Sequence, residues 1–545
     1  MLFTCRLLLV LAAGVTLLVG GASAVAGDQT DPLRNTALPC ELVGTQGGVA
    51  RTAKHIVHVA NVCGIVGTDV ELQSRKDASG KVHDYAFVGT MGAGPRIFDV
   101  TDPAHPTHAG GYVDSGWEND VQVRGNVMLA TYDGVNGEDS TASTCLKTRY
   151  PDAHGQGVDI YKLVFDARAA TFDVQLATCV ADPPGGAHNA SLNPNGKWLA
   201  ISNCCSDWAI DVVDLRNIDS GEAVHRYRLI DEGKAGATTC PAGVTFTCVV
   251  MANPGGSSAR GTWRPHDVHF SSSGSIGYVA AINSTWTVDF SRVLDGTVKP
   301  ISVIPNIHHG GTLDDPHNIE ISHQADVSKD GKILVVSDER GGGLTNTGCN
   351  TDPSGVIGGL HFFALGPIEG RPATKLATPA HPVGLGDYFI PNPTMAPDPL
   401  QAAVDALPRL ERACTAHVFR LGGNGSTSPG PIQKGYDGVS RLSSRLMSEA
   451  WYGAGVWMID FSGPASNTDG IAEDPRTTWG NTLGWNVMPG ADMWSAKEYK
   501  GSIYSGDMLR GFDVYQPKDC TALGCTTAPG VTFELNPADA YLLDP

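Results

Sequence analysis

The stretch His188-Asn189-Ala190-Ser191-Leu192-Asn193-Pro194-Asn195-Gly196-Lys197-Trp198-Leu199-Ala200-Ile201-Ser202 decides the fold of this chain. Its Pro-Asn-Gly-Lys centre is a hairpin signal between two runs that are rich in apolar residues. The opening tripeptide is one version of a pattern, (His/Asn/Thr)-(Asp/Asn)-(Val/Ile/Ala), that recurs along the sequence. We therefore interpret the stretch as the first two strands of a repeated unit.

Seven segments carry such an opening, and the last two are the most degenerate. They begin Thr68-Asp69-Val70, Asn119-Asp120-Val121, His188-Asn189-Ala190, His266-Asp267-Val268, His317-Asn318-Ile319, Ala416-His417-Val418 and Ala491-Asp492-Met493. A turn, a second and a third β-rich run follow each opening, and a fourth run is plausible in most units.

Repeated units of four antiparallel strands are typical of propeller blades, which bury their faces on one another and close into a ring. The sequence thus predicts an all-β, seven-bladed β-propeller, with six or eight blades as alternatives. Two packed sandwiches are a further alternative, but a sandwich does not need an opening repeated seven times. A strand at residues 55–60 precedes the first blade and is a candidate to pair with the last one.

One third run carries a family resemblance. Pro95-Arg96-Ile97-Phe98-Asp99-Val100-Thr101-Asp102-Pro103 resembles the LVIVD repeat of secreted bacterial propellers, and the other third runs match it loosely. The openings at His266 and His317, each preceded by Pro, are similar to first strands of other secreted seven-bladed propellers. The resemblance spans about residues 54–515 and implies the fold, whereas propellers host many unrelated functions.

The N-terminal residues predict export. A positively charged start, an apolar run and the small residues Ala22-Ser23-Ala24 form a signal-peptide pattern, with an uncleaved anchor as the alternative. We divide the chain into a signal peptide (1–26), an N-terminal segment (27–53), the propeller (54–518) and a C-terminal tail (519–545). The mature protein is expected to be secreted and free of the membrane.

Cysteine content and charge agree with this compartment. All but one of the 13 cysteines lie beyond the signal, which suggests disulfides, with Cys240–Cys248 and Cys520–Cys525 as candidate local pairs. We interpret the vicinal pair Cys204-Cys205 as members of separate bridges. The net charge of −19 argues against nucleic acid and anionic membranes as partners, so we expect an extracellular ligand or protein.

Loop lengths point to one face of the propeller. We define the top face as the end at which the first strands begin. The extra length between openings falls in residues 133–157, 230–263, 339–359 and 365–412, and we predict that all four are top-face loops. Because repeat proteins place binding sites on long loops of one face, the sequence favours a secreted propeller that binds a ligand or partner through its top face.

Histidines give the sharper alternative. His188, His266 and His317 open three consecutive units, and His417 lies one position further on in the next, so their imidazoles are expected to converge as a copper or iron centre at the channel mouth. Such a metal-dependent oxidoreductase would resemble methanethiol oxidases of the selenium-binding family distantly. The lack of a cupredoxin domain disfavours a likeness to nitrous oxide reductases. In the structural alternative, each imidazole hydrogen-bonds the backbone of the neighbouring blade.

Further candidates are weaker. A hydrolase that uses top-face carboxylates, like a lactonase or a glycosidase, is a third possibility. Asp338 and Glu449 end second strands and are its candidate carboxylates, with the capping of a loop as their alternative role. The additional predicted binding residues are Asp267, His269, His308, His309, Asn318, Glu320, Asp338 and Glu449.

Overall fold

The computed structural model describes residues 37–43, 49–114, 116, 118–132, 143–150, 157–181, 187–203, 209–231, 247–251, 263–341, 357–391, 396–407, 414–422, 445–466 and 471–518. These residues form seven β-sheets. Two short strands, β1 (Thr52–Lys54) and β2 (Ile56–Val62), come first in the chain and join the last two sheets.

The first five sheets follow one another along the chain, and in each the first strand lies nearest the central channel. Blade one contains β3 Gly67–Lys76, β4 Val82–Thr90, β5 Arg96–Asp99 and β6 Thr107–Gly111. Blade two contains β7 Glu118–Arg124, β8 Val127–Tyr132, β9 Gly157–Asp166 and β10 Thr171–Ala181. Blade three contains β11 Asn189–Leu192, β12 Trp198–Asn203, β13 Ala209–Asp214, β14 Val224–Asp231 and β15 Thr247–Met251. Blade four contains β16 Asp267–Phe270, β17 Ile276–Ala280, β18 Ser284–Arg292 and β19 Thr297–Pro305. Blade five contains β20 Ser322–Val327, β21 Ile333–Asp338, β22 Leu360–Ala364 and β23 Val383–Tyr388.

The last two blades take strands from both ends of the chain. Blade six contains β24 Phe419–Leu421, β25 Leu446–Ala450, β26 Val456–Pro464 and β27 Trp479–Val487, and β1 adds a fifth strand to it. Blade seven contains β28 Lys497–Tyr499, β29 Ser502–Asp507 and β30 Gly511–Pro517, and β2 pairs antiparallel with β30 as its fourth strand. The predicted seven-bladed propeller and its closure by the N-terminal strand are both confirmed.

Helices are few and short. The α-helices of the described residues are α1 Cys40–Val43, α2 Thr144–Arg149 and α3 Gln401–Asp405, and the 3-10 turns are Ile218–Ser220, Val293–Asp295 and Pro372–Leu376. Within the described part of the chain, no helix has the length and apolar character that crossing a membrane requires.

The core lies between the blades, and strand alternation explains why. Val70 and Leu72 of β3 are fully buried against blade seven, where Phe98 stacks on Phe512 with ring centroids 5.3 Å apart. Each such side chain contributes about 1.5–3 kcal/mol by leaving water. Asp69, which precedes Val70, points into the channel instead, since successive side chains of a strand face opposite ways.

The predicted opening of blade five is wrong. Its first strand is Ser322–Val327, and His317-Asn318-Ile319 belongs to the connection from β19 to β20. The physical reason is the hairpin turn: Ser328 donates its N–H to Ile333 O and closes the turn directly after Val327, so the strand must occupy the residues just before it. The His-Asn-Ile tripeptide matches the opening pattern, but it lies further from the hairpin turn than the openings of the other blades do.

Two further predictions of this kind need correction. The first strand of blade seven is Lys497–Tyr499 rather than the segment that begins at Ala491. Residues 365–412 are not one top-face loop, because β23 divides them and the Pro372–Leu376 turn lies in the β22–β23 connection at the opposite end. Strand β1, which joins blade six, starts at Thr52, just before residue 54, where the propeller was expected to begin.

Disulfides link Cys40 to Cys63 and Cys145 to Cys179. Cys248 and Cys414 are also disulfide-bonded. The bond at Cys40 holds α1 near the start of the propeller. The candidate pair Cys520–Cys525, the residue Cys240 and the vicinal Cys204-Cys205 lie outside the described residues.

Candidate metal centre at the channel mouth

Four histidines occupy the same position at the start of four consecutive blades. They are His188, His266, His323 and His417. In each blade the residue that closes the hairpin turn stands at the same distance after the histidine; these residues are Asn193, Ser271, Ser328 and Gly422. The turn therefore places the four histidines in one register around the channel.

The four imidazoles form a continuous row. Ring centroids are 4.1 Å apart between His188 and His266, 4.3 Å between His266 and His323, and 4.2 Å between His323 and His417. The row ends on Trp494 of the connection before blade seven, 4.7 Å from His417. A bulge in the β20–β21 register, between Ser322 and Gln324, accompanies this arrangement in blade five.

Backbone hydrogen bonds orient two of these rings. The Nδ1 of His266 donates to His323 O at 3.0 Å, and the Nδ1 of His417 donates to Trp494 O. A carbonyl oxygen only accepts, so each Nδ1 carries the proton and each Nε2 keeps a lone pair. The predicted structural role, a bond to the neighbouring blade, is thus present. It is also the bond that typically orients a metal-binding histidine.

A carboxylate and a phenol complete the cluster. Glu339, just after β21, lies with Oε2 3.8 Å from His323 Nε2 and Oε1 3.7 Å from His417 Nε2. One ligand-type atom from each of His266, His323 and Glu339 lies within 4.8 Å of the others. Tyr452 donates its hydroxyl to Glu339 Oε1 at 2.6 Å, and its ring lies 4.4 Å from that of His417.

Burial keeps the imidazoles of His266, His323 and His417 uncharged at neutral pH and weakens the acidity of Glu339. Burial, reinforced by the neighbouring imidazoles, lowers the pKa of His266 and of His323 well below the usual value. Burial likewise lowers the pKa of His417 to about 3 and raises the pKa of Glu339 to about 7. The channel mouth therefore presents neutral imidazoles beside a carboxyl group of moderate acidity, which is the protonation state that metal ions require of imidazole.

A polar layer lies directly below the histidines. A cavity of about 30 Å³ is lined by His188, His323, His417, Trp494, Asp69, Asp120, Gln122, Asn189, Asp267, His269, Gln324, Val418 and Lys497. Its volume suits one or two water molecules. The predicted residues Asp267 and His269 belong to this layer, where they pair with each other through Oδ2 and Nε2 at 2.9 Å.

His317, a predicted member of the metal site, lies elsewhere. Its Nδ1 is 2.7 Å from Asp387 Oδ2 on the outer strand of blade five. His308 and His309 lie in the same β19–β20 connection. His308, His309 and His317 share a separate cleft with Asp387, and none of them joins the row of histidines at the channel mouth.

The remaining predicted residues have structural contacts outside the row of histidines. Asn318 accepts from His309 N–H and donates to Gly310 O and Thr312 O, which ties the connection together. Glu320 lies 3.6 Å from the Arg340 guanidinium at the surface.

Asp338 accepts the N–H groups of Glu320 and Ile321, and Glu449 accepts that of His417 at 3.0 Å. Both carboxyl groups thus cap the approach to a first strand, and burial raises the pKa of each.

Sequence reasoning missed His323 and Glu339, and it considered Tyr452 only as a residue that could stack on a ligand. The signal for His323 was available: counting back from the Ser-Lys-Asp-Gly turn of blade five reaches His323 at the distance found for His188 and His266. Glu339 and Tyr452 follow second strands of two different blades and carry no local motif. Their convergence follows from ring closure.

No family model matches the chain, and no curated protein matches it. The resemblance to the LVIVD repeat therefore stays a prediction. Among solved structures, the chain is similar to the β-propeller domain of Myceliophteria thermophila Swd1, at 10% identity and a TM-score of 0.43 over 84% of this chain and 98% of that one. It is also similar to the periplasmic gluconolactonase of Pseudomonas aeruginosa (10% identity, TM-score 0.40, 78% and 98%) and to Chaetomium thermophilum Sqt1 (11%, 0.41, 87% and 96%). Likeness at this level says nothing about what the chain binds.

Proposed function

We propose that this protein is a metal-dependent oxidoreductase that holds one iron or copper ion at the mouth of its propeller channel. The ligands in this proposal are drawn from His188, His266, His323, His417 and Glu339. The single observation that carries it is the convergence of imidazoles from four consecutive blades on one buried carboxylate.

The spacing of the donor atoms supports the proposal. Two atoms that each lie about 2.1 Å from one ion are roughly 3.0–3.4 Å apart in tetrahedral or octahedral geometry. The distances of 3.7 and 3.8 Å from the Glu339 oxygens to His417 and His323 need only a small contraction to reach that range. Because these side chains are already buried and oriented, an ion would bind with little further loss of side-chain freedom.

The chemistry of the donors narrows the choice of ion. Imidazole nitrogen suits iron, copper and zinc, and structural zinc sites are almost always four-coordinate. Four imidazoles with one carboxylate exceed that number and favour an ion that accepts five or six ligands. When bound, such an ion supplies one-electron redox chemistry.

The chain's own residues would tune the site. The Tyr452 hydroxyl holds one oxygen of Glu339, and the carbonyls of His323 and Trp494 hold His266 and His417 in the tautomer with a free Nε2. Such outer hydrogen bonds typically change metal affinity or activity by about 10–100-fold. We also propose that the protein acts outside the cytoplasm, as its N-terminal residues suggest and as the disulfides fit.

Top-face binding of a ligand or partner stays a prediction. The predicted loops of that face include residues 133–142, 232–246, 252–262 and 342–356, which lie outside the described residues.

Elemental analysis of the exported, purified protein tests the proposal. We expect about one equivalent of iron or copper, bound as isolated or after anaerobic reconstitution, in the wild type and in the control His105→Ala, whose imidazole is exposed. His266→Ala and His323→Ala should lose the ion, and the near-isosteric Glu339→Gln should weaken it without a cavity. His317→Ala should retain it, in contrast to the expectation from sequence. An unloaded wild type after reconstitution, or full loading of His323→Ala with a native circular dichroism spectrum, overturns the proposal.

A further inference from the structure

We propose a second site, distinct from the channel mouth, in which His308, His361 and Asp387 bind a zinc ion at the base of a cleft beside blade five. One ligand-type atom from each of the three lies within 4.8 Å of the others. The channel-mouth proposal does not use these residues, and the two proposals stand on different observations.

The fold brings the three residues together from separate elements. His361 on β22 and Asp387 on β23 are cross-strand partners in the sheet, and His361 Nδ1 lies 2.8 Å from Asp387 Oδ1. His308 comes from the β19–β20 connection and meets His361 edge-to-face, with ring centroids 5.5 Å apart. Two antiparallel strands and one loop thus supply the donors, a mixture that sequence spacing does not reveal.

The loop that carries His308 is held in place. Asn306 donates its side-chain amide to Ile282 O and to Glu320 O, both at 2.8 Å, and so ties the two ends of the connection to blade four. His308 Nδ1 donates to Asn306 O at 3.0 Å. The proton therefore sits on Nδ1, and the Nε2 lone pair is available for a ligand.

An unsatisfied nitrogen is the second, independent sign of a ligand. The Nε2 of His361 is fully buried and has no hydrogen-bond partner among the described residues. Its nearest acidic neighbour is Asp338 Oδ2, at 3.9 Å. Burying a polar atom without a partner costs about 1–3 kcal/mol, a cost that an ion bound at Nε2 would remove.

Asp387 is prepared as an anionic ligand. Although burial opposes ionisation, the bonds to His317 and His361 hold the pKa of Asp387 well below its usual range. Burial and the adjacent His361 lower the pKa of His308 to about 4. Two imidazoles and one ionised carboxylate are the protein ligands of many catalytic zinc sites, which leave a further position open.

The open position would face the cleft. The cleft has a volume of about 580 Å³ and is lined by His308, His317 and Asp387 together with apolar residues such as Val303, Ile304 and Leu385. This volume falls within the range of small-molecule sites. The cleft thus admits a small ligand with an apolar body and an oxygen that can bind zinc.

Zinc titration of the full-length protein, stripped with a chelator, tests the site. The titration is made in the wild type and in His266→Ala, in which the channel mouth lacks one of its ligands. In both we expect a zinc equivalent that His308→Ala weakens by about 100-fold or more, since even an outer-shell change costs about 10–100-fold. His309→Ala is the matched control, because the neighbouring imidazole lines the same cleft and is not a ligand. Asp387→Asn should weaken zinc as His308→Ala does.

Cobalt substitution gives a spectroscopic test of direct ligation, because a purely structural role of His308 would not change the absorption of bound Co²⁺. The wild type and His309→Ala should develop the visible absorption of a low-symmetry Co²⁺ site, and His308→Ala should not. Equal zinc affinity in His308→Ala and His309→Ala, or no zinc bound in the His266→Ala background, overturns the proposal. An empty channel mouth with zinc retained in the cleft would refute the proposed function and leave this site standing.

Discussion

Lys497 is buried in the channel at the junction of blades seven and one, and its removal should be costly. Its Nζ lies 2.7 Å from Asp69 Oδ2 and 2.7 Å from Glu71 Oε1, and Arg420 bonds the other oxygen of Glu71 at 2.8 Å. The side chains of Lys497, Asp69 and Glu71 are 6%, 4% and 0% exposed. Lys497→Met keeps an unbranched side chain that is one atom shorter and leaves two carboxylates with one guanidinium.

The expected loss follows from this geometry. Removing one partner of a buried ion pair costs about 3–5 kcal/mol, because the remaining charge stays buried without compensation. Burial already raises the pKa of Glu71 against the opposing effect of Lys497, so the substitution should raise it further. A raised carboxyl pKa favours the folded state only at low pH, and this contribution is lost as the pH rises through the folded pKa. The deficit of Lys497→Met should therefore grow from pH 5 to pH 8.

Equilibrium urea unfolding, followed by tryptophan fluorescence at several pH values, measures this deficit. Lys500→Met is the matched control, because Lys500 lies in the same blade as Lys497, pairs with Asp84 of blade one, and has a third of its side chain exposed. Such a pair contributes about 1 kcal/mol or less. The double variant Lys497→Met/Asp69→Asn should recover part of the loss. A loss below about 1 kcal/mol in Lys497→Met, independent of pH, would refute the reasoning.

Two further predictions concern the channel and the blade junction. Burial alone would lower the pKa of His269, but Asp267 at 2.9 Å and Asp326 outweigh it and raise the pKa to about 8. This stabilisation is complete below pH 6.5 and is lost as the pH rises through 8, so His269→Gln should cost about 2 kcal/mol more at pH 6 than at pH 9 in urea unfolding; a pH-independent cost contradicts it. In Gly506→Ala, the new Cβ would stand 1.7 Å from Thr68 O, so blades seven and one must separate. We expect the Tm of Gly506→Ala to fall. Gly331 lies in an open turn, so Gly331→Ala should lower the Tm mainly through the strain of its positive φ. A Tm for Gly506→Ala equal to that of the wild type would contradict the close contact.

Local patterns accounted for most of the propeller. Glycine-based turns such as Asn195-Gly196 marked hairpins because only a few residues adopt the backbone conformation that these turns need. Strand alternation separated channel residues such as Asp69 from inter-blade residues such as Val70. Turns and strand alternation depend on residues that are close together in the chain, so the sequence alone predicts them. The same reasoning failed at His317, where the tripeptide matched but its distance from the turn did not.

The candidate site was only partly accessible in this way. His188, His266 and His417 carried the repeated opening and were predicted to converge, and the structure places their rings in one row. Asp338 and Glu449 ended second strands as expected, yet their oxygens accept backbone N–H groups rather than lining the mouth. A hydrogen bond across a sheet depends on register, which the side-chain pattern alone does not specify.

By itself, the sequence determined the blade as the repeated unit, the turn positions and three of the four histidines at the channel mouth. Only the tertiary structure decided that His323 is the fourth, that Glu339 and Tyr452 join it, and that His308, His361 and Asp387 meet at a second cluster. The physical reason is the range of the interactions. Turns and strands form from neighbouring residues, whereas these clusters join side chains from different blades, or from a strand pair and a distant loop, once the ring has closed.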